Sequence, residues 1–483
     1  MILVITIHSG NNIPIIRNNF EGEKVMDAFN QYRMEKDPLG NIMVPSSVYY
    51  GSQTQRAVEN FQISGLRLPR QFIKAQGIIK ASAAAVNVEL GKLSPEIGKA
   101  IIQAAEEVIE GRWDDHFVVD VYQAGAGTSQ NMNTNEVIAM RATELLEGKQ
   151  NIHPNDHVNM SQSTNDTFPS SVNIAAAELI NQGLLPVLQQ LEQTFQKKAE
   201  QFMPVLKSGR THLHDAVPIR LGQEFSGYAA TIGAVTGQLE HNLESLYQIG
   251  LGGNAIGTSI QLEKSYTPKV IQEVCKRTSL PFCEPDNMFA FMQNMSEPIR
   301  CMLTLKELSV HLIKITSDLR LLSSGPRTGL AEITLPSVQP GSTIMPGKVN
   351  PAILEMTHMV CCQVIGYETA VATAGTASQL EINVMMPMIA HTFLHSLEIL
   401  TNAIRTLESK CINGIQANEE QCKKWMEESL ALVTGLSSKV GYDMASEIGM
   451  QADEQNKTLE QILQEKGLYT EDVRNAIDPK GMV

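Results

Sequence analysis

Apolar residues recur at helical spacing through most of the chain after about residue 70. Spacings of three and four residues place apolar side chains on one face of a helix, and a repeat of about three and a half is typical of helices packed in a bundle. Alternating strand patterns are rare, so the pattern predicts an all-α fold with long central helices. The clearest seams are Leu184, Leu188, Leu191, Phe195 and Phe202, and then Leu305, Leu308, Leu312, Ile315, Leu319 and Leu322.

The first residues depart from this pattern. Residues 1–32 show no helical period and contain many asparagines. We interpret them as an N-terminal extension, either flexible or produced by a start codon placed too early, and both interpretations are open. Further along, the Gly- and Pro-rich stretch 337–351 is a loop by composition. Long helices with this much apolar surface often bury it against other subunits, so we expect an oligomer.

Composition and charge narrow the function. The 483 residues, with 43% hydrophobic and 19% charged, are those of a globular chain rather than a disordered one. A net charge of -14 without a basic run argues against nucleic acid or an anionic membrane as partner. Seven cysteines without a CxxC pair indicate free thiols in a reducing compartment. No apolar stretch approaches a spanning helix, and the N-terminus lacks a signal-peptide pattern, so we expect a cytoplasmic protein.

Three polar segments do not resemble core sequence. Segment 125–136 is rich in small, hydroxyl and amide residues and feeds a predicted helix, which suits an anion site at the helix N-terminus or simply a capping turn. Segment 153–166 is mostly polar and is either a ligand-facing loop or turn structure. Segment 341–351 brings hydroxyls close to a lysine, which suits carboxylate binding or proton transfer, or a surface linker.

Histidines give weaker signals. His212 lies in the sequence Gly209–Asp215 and is either catalytic or part of a helix cap. His153 and His157 are separated by Pro154, which argues against a shared helical face and a metal site. His391 and His395 have the spacing of a zinc pair but no accompanying HExxH glutamate, so core or surface histidines are favoured. Nucleotide-binding and hydrolase motifs are missing from the sequence, and no cofactor or metal is expected.

Together the three segments resemble the fumarase/aspartase superfamily. Residues 341–351 are similar to its signature loop GSSxMPxKxNP, with Thr343 where a second serine is usual. The other two segments follow the family's order and spacing. The resemblance implies a three-domain, all-α fold whose long central helices form a twenty-helix core in a homotetramer. It also implies active sites shared between three subunits, one segment from each. The implied domains are an N-terminal lyase domain over 33–162, a central helical bundle over 163–419 and a small C-terminal helical domain over 420–483.

The resemblance also implies roles for individual residues. The substrate is a small dicarboxylate, and Ser342 removes a proton from the carbon beside a carboxylate, which gives an aci-carboxylate that preorganised donors must hold. Lys348 and His212 complete the catalytic set, and Glu355 orients His212. A secondary anion site would use His153, Asn155 and Asp156. The implied substrate-binding residues are Thr128, Ser129, Ser163, Thr164, Asn165, Thr211, Thr343 and Asn350.

Two branches of the superfamily fit best. Residues 121–129, 162–166, 318–327 and 411–415 look more like aspartase, which eliminates ammonia from L-aspartate to give fumarate. Residues 53–56, Gly252–Gly253 and the last six residues look more like class II fumarase, which interconverts fumarate and L-malate. We expect an aspartate ammonia-lyase, with fumarate hydratase as the alternative. A lyase for a larger substrate and a catalytically inactive structural member are further alternatives, and the retained Ser342 and Lys348 argue against the latter.

Overall fold

A computed structural model describes residues 31–483 and is mostly helical, as the apolar seams predict. The predicted extension lies largely in residues 1–30, outside the described residues, and Tyr32 already belongs to the first strand. Within the described residues, no helix is both long enough and apolar enough to cross a membrane.

The N-terminal part begins with a hairpin and continues as helices. Strands β1 and β2 pair antiparallel, Tyr32 opposite Pro45 and Asp37 opposite Gly40. The third helix of this part starts after Ser94, whose hydroxyl accepts the Ile97 N–H and so satisfies one of the free donors of the first turn. The elements are β1 (Tyr32–Asp37), β2 (Gly40–Pro45), α1 (Ser52–Asn60), α2 (Arg70–Glu89), α3 (Pro95–Ile109) and α4 (Thr128–Leu145).

Five helical rods form the bundle at the centre of the chain. The first rod is continuous, because α5 passes through a π-helical turn at Ile180–Leu184 into α6. Every residue of the two predicted seams is nearly or fully buried in the first and third rods. The rods are α5 (Thr164–Leu179) with α6 (Leu185–Phe202), α7 (Leu221–Leu246), α10 (Ser296–Leu322), α11 (Ala352–Gly375) and α12 (Met386–Lys410), and α8 (Tyr266–Thr278) and α9 (Met288–Gln293) connect the second to the third.

The rods alternate in direction, so the bundle has two distinct ends. At the end we call the Thr164 end, α5 begins and α12 begins nearby, since the Met386 N–H donates to the Gly125 carbonyl. At the other end, which we call the His212 end, α6 stops and a hairpin of β3 (Leu206–Thr211) and β4 (His214–Arg220) leads into α7. The last turn of α10 and the loop before α11 lie at this second end as well.

Short strands and a helical C-terminal part complete the fold. The Lys198 ammonium donates to the Ile415 carbonyl and ties α6 to the chain that follows α12. The remaining elements are β5 (Ile333–Thr334) paired with β8 (Gln416–Ala417), β6 (Ser378–Gln379) paired with β7 (Ile382–Asn383), α13 (Glu419–Glu428), α14 (Val433–Val440), α15 (Tyr442–Glu454), α16 (Leu459–Glu465) and α17 (Glu471–Ala476).

Three apolar cores are present in the described chain. One lies among α2, α3 and α4, the largest fills the bundle, and the third, from Leu432 to Ile477, belongs to the C-terminal helices. Helix α2 contributes to the first two cores, with Phe72 facing the bundle and Ile73 facing α3 and α4. The predicted domain boundaries at 162/163 and 419/420 stay a prediction, because α2 belongs to both the N-terminal core and the bundle core.

Candidate active site

Two helix N-termini meet at the Thr164 end. Thr128 is the first residue of α4 and Thr164 the first of α5, so both hydroxyls lie where unpaired backbone N–H groups give a helix its positive end. Gly127 precedes α4 with a φ of +81°, and a Cβ there would meet the Phe168 ring of α5 at 2.1 Å. Only glycine permits this backbone shape and this close approach of the two helices.

The start of α5 is held by a capping box. The Ser163 hydroxyl accepts the Asn165 N–H at 3.2 Å, and the Asp166 carboxylate accepts the Ser163 N–H at 3.0 Å. The second oxygen of Asp166 accepts the Asn254 N–H at 2.9 Å, and the Asn165 side-chain amide donates to the Ala255 carbonyl. Burial raises the pKa of Asp166 to about 7. The backbone donors around Thr164 are therefore fixed before any ligand arrives.

A lysine lies beneath these two helix ends. Lys80 of α2 has no exposed surface, and its ammonium donates to the side-chain oxygens of Asn131 at 2.9 Å, Asn159 at 3.0 Å and Gln162 at 3.0 Å. Burial lowers the pKa of Lys80 to about 7, and the nearby charge of Asp166 opposes that shift. The Asn131 amide in turn donates to the Thr164 hydroxyl oxygen at 3.0 Å.

At the His212 end, the hairpin presents an exposed histidine. His212 and Leu213 form the two-residue turn between β3 and β4 with φ of 56° and 62°. Such a turn usually takes Asn-Gly, because other side chains tolerate left-handed backbone poorly. Thr211 and His212 are both exposed. A histidine held in this conformation at a solvent-facing tip is explained more readily by binding than by packing.

The signature loop lies at the same end and is built around one hydroxyl. The Ser342 Oγ accepts the backbone N–H groups of Ile344 at 3.2 Å and Met345 at 2.9 Å. The Asn350 side chain closes the loop by donating to the Gly341 carbonyl at 2.7 Å. Thr343 and Lys348 are exposed, and the Lys348 ammonium has no hydrogen bond or ion pair within residues 31–483. Two N–H donors on one serine oxygen lower the cost of negative charge there.

The predicted pairing of Glu355 with His212 does not occur within one chain. Glu355 lies in the first turn of α11, where its carboxylate is 3.9 Å from the Arg320 guanidinium. No hydrogen bond or ion pair joins Glu355 to His212 in the described chain. The pairing therefore stays a prediction that only an assembly of several chains can satisfy.

The predicted secondary anion site has acidic surroundings. His153 and Asn155 line a cleft of about 980 Å³ whose wall also carries several carboxylates. The His153 Nδ1 accepts the Asp156 N–H at 3.1 Å, so these residues first hold their own turn. The anion site stays a prediction, and the charges of a single chain do not favour it. The carboxylates lining the cleft are those of Glu35, Asp37, Glu136 and Glu144.

The two ends of the bundle are far apart. The Thr164 end brings together Thr128, Ser129 and Ser163–Asn165. The His212 end carries Thr211, His212 and the 341–350 loop. The rod between them consists of 16, 5 and 18 residues. At about 1.5 Å per residue this is roughly 58 Å of helix. The expectation that segments 125–136 and 153–166 come from different subunits needs correction, because one chain places them side by side.

Sequence reasoning missed the polar cluster below Thr164. The sequence pattern assigns no role to its members, Lys80, Asn131, Asn159 and Gln162. A signal was present in α2, where Gln76, Lys80 and Asn87 recur at spacings of four and seven in an otherwise apolar helix. Those spacings place all three on one face, and each is at most 1% exposed. Among residues 31–483, no group of three or more His, Cys, Asp or Glu could hold a metal ion.

Comparison with known proteins gives two family matches and many relatives. Residues 40–366 match the family described as lyase, and residues 432–483 match the one described as fumarase C C-terminus. The chain is 44% identical to fumarate hydratase 1, mitochondrial, of Arabidopsis thaliana, over 94% of this chain and 93% of that one. It is also 44% identical to an aspartate ammonia-lyase of a Bacillus species, over 92% and 96%. The crystal structure of class II fumarase from Schistosoma mansoni superposes with a TM-score of 0.90 at 35% identity, covering 93% of this chain and 99% of that one.

Proposed function

This chain belongs to the fumarase/aspartase superfamily of lyases, and we propose that it is an aspartate ammonia-lyase that eliminates ammonia from L-aspartate to give fumarate. The observation that carries the proposal is the Ser342 oxygen, which two backbone N–H groups hold in the signature loop. A serine acts as a base only when the alkoxide form is stabilised. The loop provides that stabilisation before substrate binds.

In the proposed mechanism Ser342 takes the proton from Cβ of aspartate. The electrons of the broken C–H bond move into the neighbouring carboxylate and give a dianionic aci-carboxylate. Lys348 and Asn350 supply a cation and an amide in the same loop to hold that charge. The electrons then return to form the C=C bond of fumarate as the C–N bond breaks and ammonia leaves.

The Thr164 end would hold the substrate's carboxylates by hydrogen bonds. Thr128, Thr164 and Asn165 lie at two positive helix ends with a buried ammonium below them. Carboxylates accept hydrogen bonds and favour such positions. Ser129 and Ser163 line the same region, and Thr211 and His212 would approach it from another chain.

We propose that the two ends of one active site come from different chains, in a homotetramer with shared active sites and a twenty-helix core. The support is the roughly 58 Å helix that separates the two ends within one chain. Helix α7 also exposes a row of small residues at spacings of three and four, which suits close contact with a helix of another subunit. The row consists of Gly227, Ala230, Ala234 and Gly237.

The choice of ammonia over water rests on the two segments at the Thr164 end. Residues 121–129 and 162–166 follow the aspartase pattern, including Thr164 where fumarases usually carry serine. A second candidate function, fumarate hydration, is favoured by Gly252–Gly253 and by the C-terminal residues 432–483, which match the family described as fumarase C C-terminus. The same loop base and the same carboxylate donors serve either reaction.

One paired assay separates the two candidates. The purified protein is given L-aspartate in one cuvette and L-malate in the other, and fumarate is followed by its ultraviolet absorbance. We expect fumarate from aspartate alone. Fumarate from malate alone would make the protein a fumarase, and fumarate from neither substrate would overturn both proposals.

A further inference from the structure

The buried lysine at the Thr164 end fixes the direction of a hydrogen-bond chain. An ammonium donates hydrogen bonds and accepts none. Each side-chain amide that touches the Lys80 ammonium must therefore turn its oxygen toward it, which Asn131, Asn159 and Gln162 all do. The three oxygens within 3.0 Å match the three N–H bonds of the protonated lysine.

The orientation passes from Lys80 to the Thr164 hydroxyl. With its oxygen committed to the lysine, Asn131 faces Thr164 with its NH₂ group, and the Thr164 oxygen accepts that bond at 3.0 Å. The Thr164 hydroxyl hydrogen finds no acceptor within residues 31–483. It stays available as a donor at the start of α5, where a carboxylate would bind.

We propose that Lys80 is a positioning residue which, through Asn131, sets the Thr164 hydroxyl as a hydrogen-bond donor to a carboxylate of the substrate. The inference rests on the proposed function for the identity of the dicarboxylate. Without the lysine, only the donation of the Asn131 NH₂ group to the Asn159 oxygen at 3.2 Å opposes a turn of the amide that would present its oxygen to Thr164. The hydroxyl would then donate inward, and the substrate would lose a donor.

Asn131→Asp tests the direction without removing the lysine. Aspartate has nearly the same shape as asparagine, can pair with Lys80 and has only oxygens to offer Thr164. The Thr164 hydrogen then turns to the carboxylate. We expect KM for the substrate and the Kd for succinate, a dicarboxylate that cannot react, to rise about 10- to 100-fold, the size of one charge-assisted hydrogen bond. Lys80→Met is the second variant and should have the same effect.

Matched controls exist elsewhere in the chain. Asn242 is 1% exposed and donates to the Thr304 hydroxyl at 2.7 Å inside the bundle, so Asn242→Asp repeats the change away from the site. Lys198 is a second buried lysine that donates to neutral oxygens, so Lys198→Met matches Lys80→Met. Both controls should keep KM and succinate affinity within about twofold.

Succinate affinity is measured by isothermal titration calorimetry, and light scattering checks the oligomer. Weaker succinate binding in Asn131→Asp but not in Asn242→Asp, with the oligomer intact, supports the inference. Wild-type affinity in Asn131→Asp overturns it, and so does a wild-type protein that binds no succinate. Because succinate binding needs no turnover, a protein that makes fumarate from neither substrate refutes the proposed reaction but leaves this test decisive.

Discussion

At the scale of single residues, the serine of the signature loop bears most of the proposed chemistry. Ser342→Ala removes the oxygen that the Ile344 and Met345 N–H groups hold, and with it the base. We expect turnover to fall about 10³-fold, within the range measured for general acid–base groups, while the oligomer stays intact. Initial rates of fumarate formation measure this. Ser337→Ala, an exposed serine in the same loop, is the control and should keep the wild-type rate.

A second residue-scale prediction concerns pH and stability. The Glu107 carboxylate accepts hydrogen bonds from Nε and Nη2 of Arg141, at 2.7 and 3.0 Å, and from the Trp113 N–H, and these bonds lower the pKa of its carboxyl below the ordinary value of 4.5. The pair therefore adds stability above about pH 4.5 and loses it as the pH falls through the lowered value. Glu107→Gln should cost about 2 kcal/mol of unfolding free energy at pH 7.

The same variant should differ less from wild type as the pH falls below 4.5, because protonation then removes the negative charge of Glu107, which glutamine lacks at every pH. Thermal unfolding at a series of pH values follows the difference in Tm. Glu110→Gln is the control, since Glu110 and Arg112 form an exposed pair of little expected value. A Tm difference that stays constant from pH 7 to pH 3 is the result that contradicts the prediction.

The sequence draws attention to polar residues in unusual motifs more readily than to a single buried cation. Ser342 and His212 stand in motifs whose composition is unusual for a surface, and the structure finds both exposed or partly exposed at one end of the bundle. Lys80 was missed because a lone lysine in a helix normally faces water. The role of Lys80 depends on three amide oxygens from distant parts of the chain. No local sequence pattern shows that these oxygens come close to the lysine.

At the scale of elements, the helices followed from periodicity and the hairpin did not. The seams of α6 and α10 have a strict helical repeat, and burial confirms them. Strands β3 and β4 alternate poorly and turn through His212–Leu213 rather than Asn-Gly, so the usual hairpin signals are missing. Tertiary contacts hold the hairpin, because Lys207 and Arg210 of β3 both form ion pairs with the fully buried Glu332.

That ion-pair cluster yields an element-scale prediction. Glu332 stands just before the signature loop, so it ties the base of the loop to the hairpin that carries His212. Glu332→Gln leaves Arg210 without its carboxylate partner and Lys207 with Glu224 alone, and we expect a loss of about 3 kcal/mol of unfolding free energy. Hydrogen exchange should quicken in 206–220 and in 335–351 together. Lys314→Gln, which breaks an exposed pair with Asp318, is the control; protection unchanged in either segment would refute the coupling.

At the scale of the whole molecule, the proposed sharing of sites makes a numerical prediction. Asn165→Ala and Ser342→Ala damage opposite ends of the chain, so each alone should inactivate every site. If a site takes one end from each of two chains, co-expression of the two variants in equal amounts restores about a quarter of the sites by random assortment. The rate per subunit of the mixed oligomers, purified with two different tags, measures that fraction. No recovery would mean that each chain completes its own site.

The long rod from Thr164 to Phe202 also has a consequence for kinetics. Under the shared-site proposal, a subunit released by dilution holds donors without a base at one end and a base without donors at the other. The rate per milligram then depends on concentration wherever the tetramer dissociates, although no chemical step is bimolecular in enzyme. A dilute stock transferred into a concentrated assay should start slowly and accelerate as chains associate. The separation of the two ends by this long rod would therefore appear as a lag in the progress curve.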